Sequence, residues 1–285
     1  MKTLLAIGTA ACNVVKQLEQ HSQYECYYIS NEIDRTTKYK FALPKVEGPE
    51  EYESLPMDKI HKWVSKIKKD ATVFLNGGND STAAVLRILE KLHKNGVKLR
   101  IVYFKPEVEI LSEQKQLHER TARGVLQNFA RSGLFENICL ICNLQLESLA
   151  GSTSVVDYFN QINHVFSTTY YMLDVFKNTK PITSTFKRPK ESCRISTIGI
   201  SSIAGEDNLF YPFEQETEIV YYYGINEEKL KSEENLFRVI TNKIKSKITD
   251  NTRVSFGIYP TQYENDYIYA EYFSPRIQQI IVDKE

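Results

Sequence analysis

The sequence predicts an α/β protein: a parallel-sheet domain, a long central helix and a smaller, strand-rich α/β C-terminal domain. Three observations carry this reading. From residue 2 to residue 142, short apolar runs alternate with segments of helical spacing, the order that builds a parallel sheet covered by helices on both faces. One long stretch at 154–178, "SVVDYFNQINHVFSTTYYMLDVFKN", then carries apolar residues nearly all round a helix, as expected of a helix buried between two units. From about residue 186 the apolar runs become strand-like and closely spaced. The expected boundaries are therefore 1–153, 154–178 and 179–285.

Each element has its own reason. "KTLLAIG" is an apolar run ending at glycine, a buried strand, and "NVVKQLEQH" is the helix after it. "YECYYISNE" is aromatic-rich and reads as a second strand. "DRTTKYKFALPKVEGPEEYESLP" is a polar, proline-containing connection, too long for a simple turn. Ile60, Val64 and Ile67 give "MDKIHKWVSKIKKD" helical spacing, and "ATVFLN" returns to a strand. "STAAVLRILEKLHKNG" and "SEQKQLHERTARGVLQNFARSG" are helices closed by Gly96 and Gly133, glycine being the residue that takes the left-handed position past a helix end. "VKLRIVYFKP" and "FENICLICN" are the strands that follow them. In the last third, "RISTIGISSIAG", "ETEIVYYYGIN", "TRVSFGIYPT" and "DYIYAEYFSP" are strands around a helix at 232–247. The chain has no internal repeat and no low-complexity tract.

Composition narrows the function classes. Hydrophobic residues at 42% and charged residues at 25% are those of a globular domain with a substantial core. Lys plus Arg equals Asp plus Glu at 36 each, so charge gives no reason to expect nucleic acid or direct membrane binding. The five cysteines are Cys12, Cys26, Cys139, Cys142 and Cys193. Cys139 and Cys142 form a CxxC without a second ligand pair, inside an apolar run, and read as buried structural residues rather than a metal site. "MKTLLAIGTAAC" has too brief an apolar run for a leader and continues into a strand–loop–helix. No run approaches the roughly 20 apolar residues of a membrane span. The expectation is a reduced, soluble, cytoplasmic protein.

The chemistry is concentrated in glycine loops. "NGGNDSTAA" (76–84) joins a strand to a helix, and the unpaired N–H groups of a helix's first turn attract phosphate. Taken alone it resembles the SGGxDS loop of PP-loop ATP pyrophosphatases, which release pyrophosphate and AMP from ATP. In that family the loop lies on the first strand with Ser before the glycines; here 75 residues precede it and Asn76 holds the Ser position. The chain as a whole resembles the tubulin/FtsZ superfamily, whose GGGTGSG signature cradles phosphate in this slot. Gly77, Gly78 and the alanine pair are retained, while Asn76, Asp80 and Thr82 replace glycines. "IGTAACNVV" resembles the first glycine loop, with Gly8 at the turn, small residues Ala10 and Ala11, and Cys12 and Asn13 opening the helix. "YFKPEVE" falls where FtsZ has "TKPF", "ICNLQL" resembles the sugar-contacting loop, and "VVDYFNQINHVF" the start of the central helix. The closing "TRVSFGIYPTQYENDYIYAEYFSP" has the shape of the last FtsZ hairpin.

The resemblance implies a GTP/GDP site. Its phosphate contacts would come from Gly8, Thr9, Ala10, Ala11, Cys12 and Asn13, and from Gly77, Gly78, Asn79, Asp80, Ser81 and Thr82. Asn143 would meet the sugar, Phe159 stack on guanine and Asn163 pair its edge, the last two lying four apart on one helical face. Plainer readings stand beside these: Phe159 as core packing, Asn163 as a polar residue of the first turns, and Asn79 and Asp80 as caps of the next helix. Asp80 beside phosphate is repulsive unless a Mg²⁺ shares it.

The family's hydrolytic acid comes from a loop that each subunit inserts into its neighbour. In "TSTFKRPKESCRIST" the one acid is Glu191, among Lys187, Arg188, Lys190 and Arg194. The chain stops at "QQIIVDKE", without the linker and peptide by which FtsZ reaches membrane tethers. These features point to a divergent member, of the kind carried by viruses or plasmids. The expected function is a head-to-tail, GTP-binding filament with weak, assembly-dependent hydrolysis. The alternatives are a scaffold of the same fold that has lost nucleotide turnover or binding, and the PP-loop enzyme.

Overall fold

Leu4, Leu5, Ala6 and Ile7 are almost wholly buried, and they place the first strand, β1 (Lys2–Ile7), at the centre of a sheet. A strand flanked by parallel neighbours, with helices on both faces, has no solvent side, so an unbroken apolar run replaces alternation. The computed structural model describes residues 1–46, 49–78 and 82–279. They fall into two compact units, Met1–Ser167 and Thr168–Glu285.

In the first unit β1 is followed by α1 (Thr9–Leu18), β2 (Tyr24–Ser30), β3 (Lys40–Ala42), α2 (Pro49–Ser54), α3 (Asp58–Val64), β4 (Asp70–Asn76) and α4 (Thr82–Lys94). Then come β5 (Lys98–Lys105), α5 (Glu113–Arg131), β6 (Asn137–Cys142), α6 (Asn143–Ala150) and α7 (Tyr158–Lys177), whose residues from Thr168 onward belong to the second unit. The strands pair in parallel in the order β3-β2-β1-β4-β5-β6. Their C-terminal ends therefore lie along one edge, where an open α/β sheet holds ligands. On α7, Phe166 packs edge-on against Phe74 of β4 and Phe104 of β5, with ring centroids 6.3 and 4.8 Å away. Burying a ring of this size is worth about 1.5–3 kcal/mol.

Four details depart from the sequence reading. The first helix begins at Thr9, so Thr9, Ala10 and Ala11 form its first turn instead of a loop. The long polar connection contains β3 and α2. The segment after β6 turns at once into α6, and α7 starts four residues later than expected. Gly96 and Gly133 do close α4 and α5, with φ of 78° and 86°.

The second unit continues with β7 (Thr183–Ser184), β8 (Ile195–Ser201), β9 (Asn208–Leu209), β10 (Glu218–Asn226), α8 (Glu227–Ser232), α9 (Leu236–Lys247), β11 (Arg253–Thr261) and β12 (Tyr267–Ser274). Strand β12 lies antiparallel between β8 and β10, β10 is parallel to β11, and β7 and β9 edge β11 and β8. One face buries Ile219, Tyr221, Tyr223, Phe256 and Tyr272 under Leu236, Ile240 and Ile244 of α9. On these strands two glycines serve as sockets. A side chain at Gly224 would collide with the ring of Phe176, and one at Gly257 with the ring of Phe186.

Candidate functional site at the strand ends

The two predicted glycine turns follow adjacent parallel strands. Gly8 follows β1 with φ 95°, a conformation that side chains disfavour, and its N–H donates to the Ile29 carbonyl at 2.8 Å. Helix α1 opens immediately afterwards, and no side chain caps its first-turn N–H groups, the kind of terminus that favours an anion. Thr9 is half-buried, its hydroxyl 3.1 Å from that of Ser30, while Ala10 is exposed and Ala11 buried. Cys12 is buried, its thiol 3.8 Å from the Ile29 carbonyl and pushed up by burial to about 12. It is therefore a neutral wall and not a thiolate. Asn13 is exposed and accepts from the Lys16 ammonium at 3.2 Å.

Beside α1 lies a cavity of about 400 Å³ that brings together Thr9, Cys12 and Asn13. Residues missed by the sequence reading complete it: Lys16, Ser30, Arg35 and Lys40 supply hydrogen-bond donors, and Glu32 and Asp34 supply carboxylates. Arg35 and Thr37 belong to the stretch taken for a plain connection; the Trp63 indole N–H fixes it by donating to the Thr37 carbonyl at 2.8 Å. Its density of charged residues was the signal available in the sequence.

The second turn follows β4. Gly78 has φ 69°, again the glycine region. Gly77 is needed for another reason: a Cβ there would collide with the Tyr103 hydroxyl and lie 2.9 Å from Cγ of Glu119. Close packing by the protein itself, and not approach of a phosphate, occupies that space. Just before the turn, Asn76 Oδ1 is buried with no hydrogen-bond partner among the described residues. An acceptor left orphaned at the C-terminal edge of the sheet calls for a donor, and the sequence reading had not placed Asn76 in the site. Asn79, Asp80 and Ser81 lie outside the described residues; Thr82 begins α4.

Asn143 is the first residue of α6, half-buried at the end of β6. Phe159 is 65% exposed on the first turn of α7, so the core-packing reading of this ring is incorrect. Asn163, one turn on, is half-buried, and its side-chain amide makes no hydrogen bond among the described residues. Gln17 links α1 to this helix, donating to the Asn160 carbonyl at 3.2 Å and accepting from the Ser167 hydroxyl at 2.8 Å. Glu191 belongs to the second unit, where its side chain is exposed. The loop around it is anchored: the Lys190 N–H donates to the buried Glu218 at 2.9 Å, and the Arg253 guanidinium bridges Glu218 and the Arg188 carbonyl. The five cysteines are free, and no cluster of three metal-ligating side chains occurs among the described residues. Among the same residues, no helix is long and apolar enough to cross a membrane.

No family model matches the chain, and no curated protein matches it in sequence. Solved structures do match. An FtsZ dimer from M. jannaschii, at 13% identity, covers 96% of this chain and 88% of its own with a TM-score of 0.68. A GTPγS-form protofilament of TubZ from Bacillus thuringiensis, at 12% identity, covers 96% and 86% with a TM-score of 0.71. The GTPγS-bound protofilament of CetZ2 from Haloferax volcanii, at 11% identity, covers 96% and 94% with a TM-score of 0.66. With a parallel sheet, two glycine turns at its C-terminal edge and a mixed sheet in the second unit, this chain has the tubulin/FtsZ fold.

Proposed function

We propose that the protein binds a guanine nucleotide at the C-terminal edge of the first sheet and assembles head to tail into filaments. The carrying observation is the pair of glycine turns, Gly8 and Gly78, on the paired strands β1 and β4, with α1 left uncapped beside an orphaned Asn76 Oδ1. In this reading the N–H groups of Thr9, Ala10 and Ala11 and the turn from Gly77 to Thr82 hold phosphate, with a Mg²⁺ shared by Asp80. Cys12 and Asn13 border the ligand and Asn143 faces the sugar. Phe159 provides an exposed ring for the base and Asn163 a free amide for its edge. The residues present suit such a group: apolar face, amide and unpaired donors are all available.

The filament reading is supported by the similar structures, several of which are protofilaments or filaments. A heterologous head-to-tail contact propagates without closing. The placement in the cytoplasm follows from this reading. Equilibrium binding of GTP, GDP and ATP, with sedimentation of the loaded protein, tests it. GTP and GDP should bind in preference to ATP, and GTP should drive material into the pellet. A second reading, a scaffold of the same fold that binds no nucleotide, is favoured by the packing of Tyr103 at Gly77, which explains that glycine without any ligand. Pelleting that is equal with and without nucleotide, together with no binding, would establish the scaffold.

A further inference from the structure

In the second unit, a cavity of about 380 Å³ opens beneath residues 186–189, against β10 and β12. Its walls are apolar and largely aromatic, from Phe186, Tyr222, Phe273 and Val220. The cover is held in place: the Phe186 ring fills the socket at Gly257, and the Arg188 carbonyl accepts from Arg253 at 2.9 Å. Its one carboxylate is already satisfied, with Glu271 Oε1 2.6 Å from the Lys177 ammonium and Oε2 accepting from the Tyr222 hydroxyl at 2.9 Å. Two further cations line it, Lys187 and Arg188, and the side chains of both lack a hydrogen bond or ion pair among the described residues.

We propose that this cavity binds a small organic anion with a planar apolar body, an aromatic carboxylate or an aromatic phosphate ester. Apolar walls favour the body, and a guanidinium with an adjacent ammonium favours a planar or phosphate-like anionic head. The volume is near the small end for ligand pockets, which suits a single ring better than a nucleoside triphosphate. Glu271 adds no uncompensated repulsion because Lys177 neutralises it. The site is built from the second unit alone and does not depend on the nucleotide reading.

The test is an NMR titration of the full ¹⁵N-labelled chain with benzoate and with phenyl phosphate. Inorganic phosphate serves as the probe without a body, and benzyl alcohol as the probe without a charge. At least one aromatic anion should give saturable shifts at the Val220, Tyr222 and Phe273 amides, and the tighter of the two identifies the head group. Both control probes should bind at least about tenfold more weakly, a factor one charge-assisted hydrogen bond can carry. The Lys187→Ala/Arg188→Ala variant should lose about the same factor while keeping the parent's melting temperature, because both side chains are exposed. The proposal is overturned if neither anion saturates, if inorganic phosphate binds as tightly, or if the double variant binds like the parent.

Discussion

Gly77 and Gly78 are neighbours in one turn, yet physics requires glycine at each for different reasons. At Gly78 the backbone is left-handed, so Gly78→Ala should cost about 1 kcal/mol through strain alone. At Gly77 the obstacle is the Tyr103 hydroxyl, itself 3.2 Å from a carboxylate oxygen of Glu119. Gly77→Ala should therefore destabilise by about 1–3 kcal/mol, the usual cost of overpacking. Adding Tyr103→Phe should return part of that loss, and urea unfolding of the two singles and the double measures the coupling. Strict additivity would mean that the hydroxyl is not what excludes a side chain. Phe159 allows the opposite experiment, since an exposed ring contributes little to the core. Phe159→Ala should leave the melting temperature unchanged but weaken guanine nucleotide binding by about 1–3 kcal/mol, the worth of one base–aromatic stack. Unchanged affinity by calorimetry removes this ring from the site.

Between elements, the second unit is pinned by one carboxylate. Asp207, just before β9, accepts from Ser201 of β8 at 2.6 Å, from Tyr221 of β10 and Tyr272 of β12 at 2.5 Å each, and from Lys243 of α9 at 2.9 Å. Burial alone would raise its pKa, but hydrogen bonds from Ser201, Tyr221, Tyr272 and Lys243 hold the carboxyl well below the usual range. Asp207→Asn should cost about 3–5 kcal/mol, because it leaves the Lys243 ammonium buried without its counter-charge. The depressed folded-state value sets the acid limit: this stabilisation is complete above about pH 4 and is lost as pH falls below that. The tyrosines of this unit set the alkaline limit. Burial first raises Tyr221, Tyr222 and Tyr272, Asp207 adding to the rise of Tyr221 and Tyr272 and Glu271 to that of Tyr222, and burial alone raises Tyr259 to about 12. Their raised values favour the folded state fully below about pH 10, and that advantage fades as pH climbs further. Chemical denaturation across pH 3–11 should show a plateau with losses at both ends, and the Asp207→Asn variant should lack the acid-side loss.

At the scale of the whole molecule, the proposed filament makes a prediction about turnover. Activating a water needs an acceptor within about 3 Å, and lysine or arginine cannot take its proton. Glu191, the single acid in the basic stretch 187–194, is exposed. If it supplies the acceptor in a filament, GTP turnover should be slow and rise more steeply than linearly with protein concentration. Glu191→Gln should then abolish turnover while filaments persist in electron micrographs. Turnover simply proportional to concentration in filament-free samples would place the acceptor within one chain.

The sequence by itself determined the strand–helix order, the glycines that close α4 and α5, and the two turns after β1 and β4. Each rests on local chemistry: apolar runs, helical periodicity and the conformational freedom of glycine. The resemblance to the tubulin/FtsZ superfamily pointed to Phe159 and Asn163, without saying whether the ring is covered, since exposure depends on what packs against α7. Tertiary structure alone decided the rest. Tyr103 and Glu119, 26 and 42 residues beyond Gly77 in sequence, explain that glycine, and Asp207 draws together four elements that no local pattern connects. The β3 strand and the cavity beside α1 were hidden in a polar stretch, because its order comes from pairing with β2 and a hydrogen bond from Trp63 and not from its own periodicity. Contacts between residues distant in sequence leave no periodic trace in the chain, and only the folded backbone brings them within reach.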